Sequence, residues 1–344
     1  QKNNFYLMNT KYIIAVDAMG GESSPKKVID GISVFCETNS DIYFKIFGDE
    51  KLIKKNIPRK LNKNRYDIIH TDEFVKDEDS AFMGAKNKKT SMWLAVESVK
   101  NKESNIVISA GNTGALFVVA KLNLEMIDKI DKPALSGLWP NKTGMNVVLD
   151  LGANIECSEK NLLDFSIMGT SLFKSLFPNE EAKVALLNIG SEEGKGNEII
   201  KNTYQKLSKV KKNFVFKGYV EGNNIMSGDV NVIITDGFTG NIALKTAEGT
   251  ASFITTELKK ILTSSFLGKF SSFINMKNLK KFKDKLDPRK YNGAILIGLK
   301  SPVVKSHGST DFIGFSNSLS VCEKIIKGNL IDKIKENIKD IDNA

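Results

Sequence analysis

Two turns of this sequence carry the pattern G-x-T-G between an apolar run and a helical pattern. Gly111-Asn112-Thr113-Gly114 follows the run that starts at Ile106, and Gly237-Phe238-Thr239-Gly240 follows Val230–Thr235. Two glycines within four residues let the backbone turn tightly and approach a ligand. The helix N-terminus behind each turn presents unpaired N–H groups and a positive dipole end, which favour an anion. The sequence therefore indicates anion binding, although Asp236, just before the second turn, is explained most simply as a helix cap.

A glycine-rich loop with one lysine ends the apolar segment that starts at Val184. It fails the Walker A pattern, because three residues instead of four separate its first two glycines and Gly196 follows the lysine. Nucleotide hydrolysis is therefore not expected. Two interpretations stay open: an anion site formed by Lys195 with the amides of Gly194 and Gly196, or a surface lysine on a flexible loop.

A third apolar strand, within VVLDLGAN, ends in Asp150, Gly152 and Asn154. In an open α/β sheet, ligands bind outside the carboxyl ends of the strands. The four polar turns at such ends therefore predict one shared cleft. Asp17, Asp150 and Asp236 stand at three of the predicted strand ends and could meet there, but no carboxylate cluster typical of a metal site is evident.

His307 stands between small residues after a predicted strand, next to Gly308 and Ser309, which is a setting typical of a functional site. The other histidine, His70, ends a strand before a charged loop and is predicted to be structural. Amide side chains near the glycine turns can stabilise an oxyanion, but turns also use asparagine because it tolerates left-handed backbone. The asparagines concerned are Asn112, Asn154 and Asn241.

Strand and helix patterns alternate along the chain, which predicts a doubly wound α/β fold. With 344 residues the chain is long enough for a large core, and we expect a single α/β domain over residues 11–335. Residues 71–89 are predicted to be a loop. Residues 250–291 interrupt the alternation with helical, lysine-rich sequence and are interpreted as a helical arm inserted in the domain.

The composition limits the classes of partner. The formal net charge is +10, but only Arg59, Arg65 and Arg289 are arginines, and no aromatic stacking cluster accompanies the lysines, so nucleic acid is not expected as a partner. An acidic protein or an anionic membrane fits the lysine excess equally well. No apolar run reaches the roughly 20 residues of a spanning helix, and no signal-peptide pattern is present, so cytoplasm is the default expectation. Three isolated cysteines are expected to be reduced thiols.

Six motifs in a fixed order resemble the bacterial acyl-ACP:phosphate acyltransferases of the PlsX family, from about Tyr12 to Lys327. The motifs are Asp17-Ala18-Met19-Gly20-Gly21, Gly111-Asn112-Thr113-Gly114-Ala115-Leu116, Val148–Asn154, Asn188-Ile189-Gly190 with Gly194–Glu198, Asp236–Asn241, and Lys305 with His307-Gly308-Ser309. The resemblance implies a three-layer α/β/α fold like that of the phosphotransacetylases and the isocitrate and isopropylmalate dehydrogenases. It also implies a cytoplasmic homodimer that visits the membrane surface.

The reaction that the resemblance implies joins orthophosphate to the acyl group of long-chain acyl-ACP and releases ACP, with neither a cofactor nor a metal. The acyl phosphate would pass to a membrane glycerol-phosphate acyltransferase in phospholipid synthesis. A dehydrogenase on the related fold is an alternative, although the few arginines count against it. A non-catalytic lipid-synthesis scaffold is another alternative, which would need the arm but not Lys195, Asp236 and His307 together.

Within that reaction we assign orthophosphate to Lys195 and the Gly194–Gly196 amides, and the thioester oxyanion to Asn241 or Asn112. His307 would serve the oxyanion or the leaving sulfur, and Asp236 would orient Lys195 or His307 or accept a proton from phosphate. The other predicted substrate contacts are Asp17, Gly20, Asn112, Thr113, Gly114, Asn154, Gly194, Gly196, Gly237, Thr239, Gly240 and Ser309.

The arm places large apolar residues among lysines, a composition that favours the surface of an anionic membrane. Phe266-Leu267 and Phe273-Ile274 resemble hairpin tips, and lysines flank both pairs. Ordinary helix packing and a dimer contact remain alternative explanations. The predicted membrane contacts are Phe266, Leu267, Phe270, Phe273 and Ile274.

Overall fold

The computed structural model describes residues 12–285 and 287–341. The strands are β1 (Tyr12–Asp17), β2 (Ile42–Gly48), β3 (Tyr66–His70), β4 (Ile106–Ser109), β5 (Ala134–Pro140), β6 (Met145–Leu149), β7 (Lys183–Asn188), β8 (Val215–Glu221), β9 (Val232–Ile234), β10 (Ala294–Ile297) and β11 (Val303–Lys305). The helices are α1 (Lys26–Phe35), α2 (Glu50–Asn56), α3 (Ala81–Lys86), α4 (Ser91–Lys100), α5 (Thr113–Asn123), α6 (Glu159–Leu176), α7 (Glu198–Leu207), α8 (Gly237–Thr263), α9 (Phe266–Ile274), α10 (Met276–Lys285), α11 (Phe312–Lys327) and α12 (Leu330–Ile341).

All the strands form one 11-stranded mixed sheet in the order β3-β2-β1-β4-β11-β10-β5-β6-β9-β7-β8. The outer strands pair in parallel, but β10 is antiparallel to both β11 and β5, and β5 is antiparallel to β6. The reason is local: short turns join β5 to β6 and β10 to β11, and such turns connect only antiparallel neighbours. The carboxyl ends of β1, β4 and β11 therefore lie at one edge of the sheet, and those of β6, β9 and β7 lie at the opposite edge. Alternation alone did not predict this reversal.

Successive side chains of each strand point to opposite faces of the sheet, and helices pack against both faces. On β1, Ile14 and Val16 point into the main core cluster, which includes side chains of α1, α6, α7, α11 and α12, while Ala15 points to the opposite face. On β9, Val232 and Ile234 join the same main cluster, while Ile233 faces the other way. The predicted three-layer α/β/α fold is confirmed.

The second face of the sheet has two separate apolar clusters. One packs α4 and α5 against the first strands, and the other packs the start of α8 against β6, β7 and β9. Between the two clusters lies an apolar cleft over the central strands, with a volume of about 290 Å³. Thr113, Gly114 and Lys305 from one half of the sheet and Gly152 and Ala153 from the other half line this cleft.

The predicted loop over residues 71–89 contains a short helix, α3, which was not expected from the mixed charges of this stretch. The predicted arm is helical, but it has no separate start: α8 begins at Gly237 and runs without a break for 27 residues into it. Helices α9 and α10 complete the arm. Within the described ranges, no helix is both long and apolar enough to cross a membrane.

Candidate active site

The apolar cleft is bordered by backbone from the first glycine turn, by β11 and by the loop after β6. Leu116, Phe117, Val118, Leu135, Leu296 and Val303 supply most of its apolar wall. Thr113 and Gly114 border it at the start of α5, and Gly152 and Ala153 border it from the other half of the sheet. Lys305, at the end of β11, lines the same cleft. A long apolar group with one polar end fits this lining.

Asp17 does not face the cleft. Its carboxylate is 1% exposed and accepts hydrogen bonds from Ser91 Oγ at 2.7 Å, from Ser109 Oγ at 2.6 Å and from the backbone N of Met19. Burial raises the pKa of this carboxyl group, and the hydrogen bonds oppose the shift. Asp17 therefore joins the first strands through these hydrogen bonds, and its predicted contact with substrate stays a prediction. It also lies apart from Asp150 and Asp236, because β1 ends at the opposite edge of the sheet.

Gly20 is also a packing residue. A Cβ atom there would lie 2.4 Å from the backbone N of Gly111. The loop after β1 and the first glycine turn are therefore in direct contact. Gly20 is buried and not open to a substrate. Its place in the motif is explained by this close approach of two backbones.

The ring of His307 is held in one tautomer. Its Nδ1 accepts a hydrogen bond from the backbone N of Ser309 at 3.4 Å and lies 3.0 Å from Ser309 Oγ. The proton is therefore on Nε2, which has no partner in the described part of the chain and can donate. Burial, followed by the charge of Lys305, lowers the pKa of His307, so the neutral imidazole dominates near neutral pH. Neutral His307 can donate a hydrogen bond to an oxyanion or to a leaving sulfur but cannot act as a base through Nε2. Ser309 orients this ring.

Helix α8 connects the two edges of the sheet at this site. It begins at the end of β9, and its residues Lys245 and Glu248 are close enough to His307 to influence the pKa of that ring. The helix therefore passes from the second glycine turn towards residues 306–310, the turn that contains His307 (the histidine turn).

Asp150 anchors the loop after β6. The carboxylate is fully buried and accepts hydrogen bonds from the backbone N of Leu135, Gly152, Ala153 and Asn154, at 2.7 to 3.1 Å. The side-chain amide of Asn154 donates to Asp150 Oδ2 at 2.8 Å and to the carbonyl oxygen of Pro133 at 2.7 Å. Both amide hydrogens of Asn154 are thus engaged within the protein. These bonds show that Asn154 shapes the loop, and its predicted role in binding substrate stays a prediction.

Asp236 caps α8. One carboxylate oxygen accepts from the backbone N of Thr239 at 2.8 Å, and the other accepts from its Oγ1 at 2.8 Å. Among the described contacts, Asp236 reaches neither Lys195 nor His307, so the predicted role in orienting either of them is not supported. Asp236 is the N-cap residue of α8, as the simplest interpretation of the sequence predicted.

Asn241 and Asn112 differ in what they can donate. Asn112 accepts from the backbone N of Ala115, and its amide nitrogen donates to the carbonyl oxygens of Asp77 at 3.0 Å and Asp79 at 2.9 Å. Both of its amide hydrogens are therefore used. Asn241 donates one hydrogen to the carbonyl oxygen of Leu151 at 3.0 Å, and its second hydrogen has no partner among the described residues. Of the two predicted oxyanion donors, the geometry favours Asn241.

Asn188, at the end of β7, joins the two ends of the glycine-rich loop by hydrogen bonds. Its amide nitrogen donates to the carbonyl oxygens of Gly190 at 3.1 Å and of Lys195 at 3.2 Å. Gly196 has φ of +94°, and a Cβ there would lie 2.6 Å from Asn188 Oδ1, so this position requires glycine. Lys195 and Gly194 are exposed. Because β7 pairs with β9, the loop lies next to the Asp236 turn.

Gly237 and Gly240 let α8 pack against the Asp150 loop. A Cβ at Gly237 would lie 2.5 Å from the carbonyl oxygen of Asn154, and one at Gly240 would lie 1.9 Å from that of Asp150. The two glycines are buried in this contact and are not open to a ligand. Thr239 is exposed, but its hydroxyl group bonds Asp236.

We expect Gly240→Ala to destabilise the fold by about 1–3 kcal/mol or more, because a backbone carbonyl cannot move aside as a side chain can. Gly249→Ala in the same helix is the matched control, since nothing lies within 4 Å of its Cβ position. That control should gain up to about 1 kcal/mol from helix propensity. Urea unfolding measures both effects. Equal stability of the two variants would contradict the close contact.

The sequence patterns did not predict the roles of the serines and the lysine around the turn that follows β1. Ser91 and Ser109 hold Asp17, and Lys27 lies on the buried face of α1. The sequence did contain one signal, because a lysine one helical turn before Gly31 falls on the apolar stripe of that helix.

The comparisons with known proteins agree with this fold. The family model described as fatty acid synthesis protein matches residues 12–333. A phosphate acyltransferase of Pelagibacter ubique is 67% identical over 327 residues, covering 94% of this chain and 98% of the relative. A phosphate acyltransferase of Paramagnetospirillum magneticum is 40% identical, covering 96% of this chain and 94% of the relative.

Solved structures with low identity share the fold alone. A phosphotransacetylase from Streptococcus pyogenes superposes with a TM-score of 0.62 at 12% identity, covering 96% of this chain and 97% of the other. The phosphotransacetylase EutD from Staphylococcus aureus gives a TM-score of 0.60 at 13% identity, covering 95% and 98%. The predicted likeness to the phosphotransacetylase fold is confirmed. From its family match and its close relatives, this chain belongs to the PlsX family of fatty acid synthesis proteins, the phosphate acyltransferase family.

Proposed function

We propose that this protein transfers the acyl group of long-chain acyl-ACP to orthophosphate, giving acyl phosphate and free ACP. The observation that carries the proposal is the apolar cleft, with Lys305 in its lining and neutral His307 two residues further along the chain. An acyl chain matches the apolar wall, and its thioester would lie at the polar end. The volume of about 290 Å³ is near the lower limit of ordinary ligand pockets, which suits a narrow chain.

Orthophosphate is already a nucleophile near neutral pH, so the proposed reaction needs no covalent enzyme intermediate. A phosphate oxygen attacks the thioester carbon, the carbonyl oxygen becomes an oxyanion, and the carbon–sulfur bond then breaks to release the thiolate of ACP. The protein has to position the anion, stabilise the oxyanion and assist the leaving sulfur.

The residues that support these roles are those with free donors. Lys195 and the amides of Gly194 and Gly196 are proposed to hold a phosphate group. Asn241 keeps one free amide hydrogen, and it packs beside Gly152 of the cleft wall, so it is the proposed oxyanion donor. His307 Nε2 would donate a hydrogen bond to the oxyanion or to the leaving sulfur. Thr113 and Gly114, at the start of α5, are proposed to contact the substrate because they border the cleft.

The direct experiment incubates the protein with palmitoyl-ACP and phosphate and traps acyl phosphate with hydroxylamine. Formation of product that depends on both substrates supports the proposal. A dehydrogenase would instead change the absorbance of a nicotinamide cofactor in the presence of hydroxy acids. A scaffold would bind ACP without turnover. Either result would overturn the proposed reaction.

The proposed setting is a cytoplasmic enzyme that works at the membrane and passes its product to a membrane glycerol-phosphate acyltransferase. An acyl phosphate is amphipathic, so release at a bilayer would spare it from water. The described arm supports this setting, because Leu267, Phe270, Phe273 and Ile274 are each more than half exposed.

We also predict a homodimer. Helix α8 exposes large apolar side chains along its length, which is unusual for a helix left free in solution. They include Phe238, Ile242, Phe253, Ile254 and Ile261. Burying this surface in a second copy would remove it from water, so the expected mass by light scattering at micromolar concentration is that of two chains. A single-chain mass under those conditions would contradict the prediction.

A further inference from the structure

Two lysine side chains converge beside the histidine turn. Lys27, on the buried face of α1, is 5% exposed, and its Nζ donates to the carbonyl oxygen of Gly308 at 2.5 Å. Lys305, at the end of β11, donates to the carbonyl oxygen of Ser306 at 2.5 Å and lies 3.3 Å from that of Ala110. Both ammonium groups therefore contact neutral backbone oxygens of neighbouring turns.

Gly21 packs directly against this corner. A Cβ there would lie 3.0 Å from Lys27 Nζ, 2.7 Å from the carbonyl oxygen of Ala110 and 3.0 Å from that of Gly308. Its φ of +81° also favours glycine. The absence of a side chain therefore lets the loop after β1 approach Lys27 and both backbone turns closely, so a ligand would have to enter from the side of Lys305 and the cleft.

The charge of the pair is not neutralised by a close carboxylate. In residues 12–285 and 287–341, neither lysine forms an ion pair within 4.0 Å. Asp77 acts on both lysines only at longer range, as does Glu22 on Lys27. Asp17, which also acts on Lys305, already accepts hydrogen bonds from Ser91 and Ser109, and burial raises the pKa of its carboxyl group.

The titration of the lysines agrees with this arrangement. Burial, followed by the nearby positive charge of Lys27, lowers the pKa of Lys305 to about 8. Burial also lowers the pKa of Lys27. Two like charges that share a partly buried corner repel each other, and an anion between them would remove that repulsion.

We propose that Lys27 and Lys305 form an anion site that takes a phosphate group of the substrates. Lysines bind phosphate as point charges, and two of them suit one phosphate better than the single charge of a carboxylate. The location supports a substrate group, because Lys305 also lines the apolar cleft. The site rests on the proposed function for its ligand, since that reaction brings two phosphate groups: orthophosphate and the phosphodiester of the ACP prosthetic arm. One would bind here, and the other would bind at the Lys195 loop.

The experiment measures binding without turnover, in a Lys195→Ala background that removes the other candidate site. Isothermal titration uses inorganic phosphate in one arm, and holo-ACP against apo-ACP in the other, because apo-ACP lacks the phosphodiester. The variants are Lys27→Gln and Lys305→Gln. The matched controls are Lys26→Gln and Lys300→Gln, two exposed lysines paired with Asp30 and Glu125. Circular dichroism and thermal unfolding establish that each variant is folded.

We expect each site variant to weaken the binding of one probe by roughly tenfold or more, while the control variants leave that binding unchanged. Weaker binding of inorganic phosphate identifies orthophosphate as the ligand. Loss of the tighter binding of holo-ACP compared with apo-ACP identifies the phosphodiester. If the folded variants bind both probes like their parent, or if the parent binds neither, the site is refuted. The acyl phosphate assay separates the two proposals: product formation with unchanged binding refutes only the site, and lysine-dependent binding without product refutes only the reaction.

Discussion

Replacing Lys195 with alanine is expected to lower the rate of acyl phosphate formation by about a hundredfold or more, and His307→Ala should do the same. Each change removes a preorganised donor for charge that the substrates carry or develop. The lysine is exposed on a loop whose backbone Asn188 already fixes, so its loss should leave the fold intact. The histidine side chain bonds only Ser309 among the described residues, so its loss should also be tolerated structurally.

The controls match each change. Lys201→Ala removes another lysine of the same region, one that pairs with Glu198 on α7. His70→Asn alters the other histidine, whose Nδ1 accepts from the backbone N of Glu50 at the start of α2. Both controls should keep near-normal turnover. The assignment fails if Lys195→Ala and His307→Ala, both folded, retain the rate of the unchanged protein.

The pH profile gives a further test of the role of His307. Its pKa is lowered by burial and by Lys305, so the ring loses its proton below the ordinary histidine pKa and stays neutral at neutral pH. A role as a neutral Nε2–H donor therefore predicts no loss of rate from this ring between about pH 7 and pH 8.

Local signals in the sequence were enough for the turns and most of the elements. The capping role of Asp236 follows from its place before a glycine and an apolar helix, and the structure shows that bond to Thr239. The structural role of His70 followed similarly from its place at a strand end. Both depend on contacts within about twenty residues, which a sequence pattern can represent.

Long-range placement could not be predicted from the same patterns. Asp17 and Asp150 both end apolar strands and look equivalent in sequence, but the antiparallel strands at the centre of the sheet put them at opposite edges. Their partners, Ser109 and the backbone of Leu135, come from other strands. The choice between Asn112 and Asn241 depends likewise on carbonyl oxygens far away in the chain.

The arm could be recognised by composition, but its connection to the site could not. The last turns of α8 belong to the arm, and its first turn is the Asp236 cap, so one helix joins the candidate site to the exposed apolar residues. In sequence the glycine turn and the arm looked like separate features. A rigid helix between them links the proposed chemistry physically to the proposed membrane contact.

The second large effect expected is loss of membrane binding on Leu267→Glu with Phe273→Glu. These side chains are 77% and 70% exposed, at the two ends of α9, where the chain passes to and from the neighbouring helices. The side chain of Phe266 lies outside the described part, so the pair is chosen from its described neighbours. Two exposed apolar side chains that would insert into the bilayer would become two charges that an anionic surface repels.

Lysines around these apolar residues should make the binding sensitive to salt. Each lysine near an anionic bilayer contributes roughly 1 kcal/mol, and salt screens the attraction within a Debye length. Exposed examples on both sides of α9 are Lys259, Lys260, Lys277, Lys280 and Lys281. Sedimentation with vesicles of phosphatidylglycerol and phosphatidylcholine measures the binding, and it should weaken as sodium chloride rises or as the anionic lipid is omitted.

Leu122→Glu is the matched control, because this exposed leucine lies on α5, away from the arm. It should bind vesicles like the unchanged protein, and the arm double variant should still convert acyl-ACP in solution, since it leaves the cleft unaltered. Binding by the double variant equal to that of the unchanged protein would mean that α9 packs against something other than a bilayer. A loss of vesicle binding together with a single-chain mass by light scattering would instead place α9 in the dimer contact, since apolar packing between two copies requires the same exposed side chains.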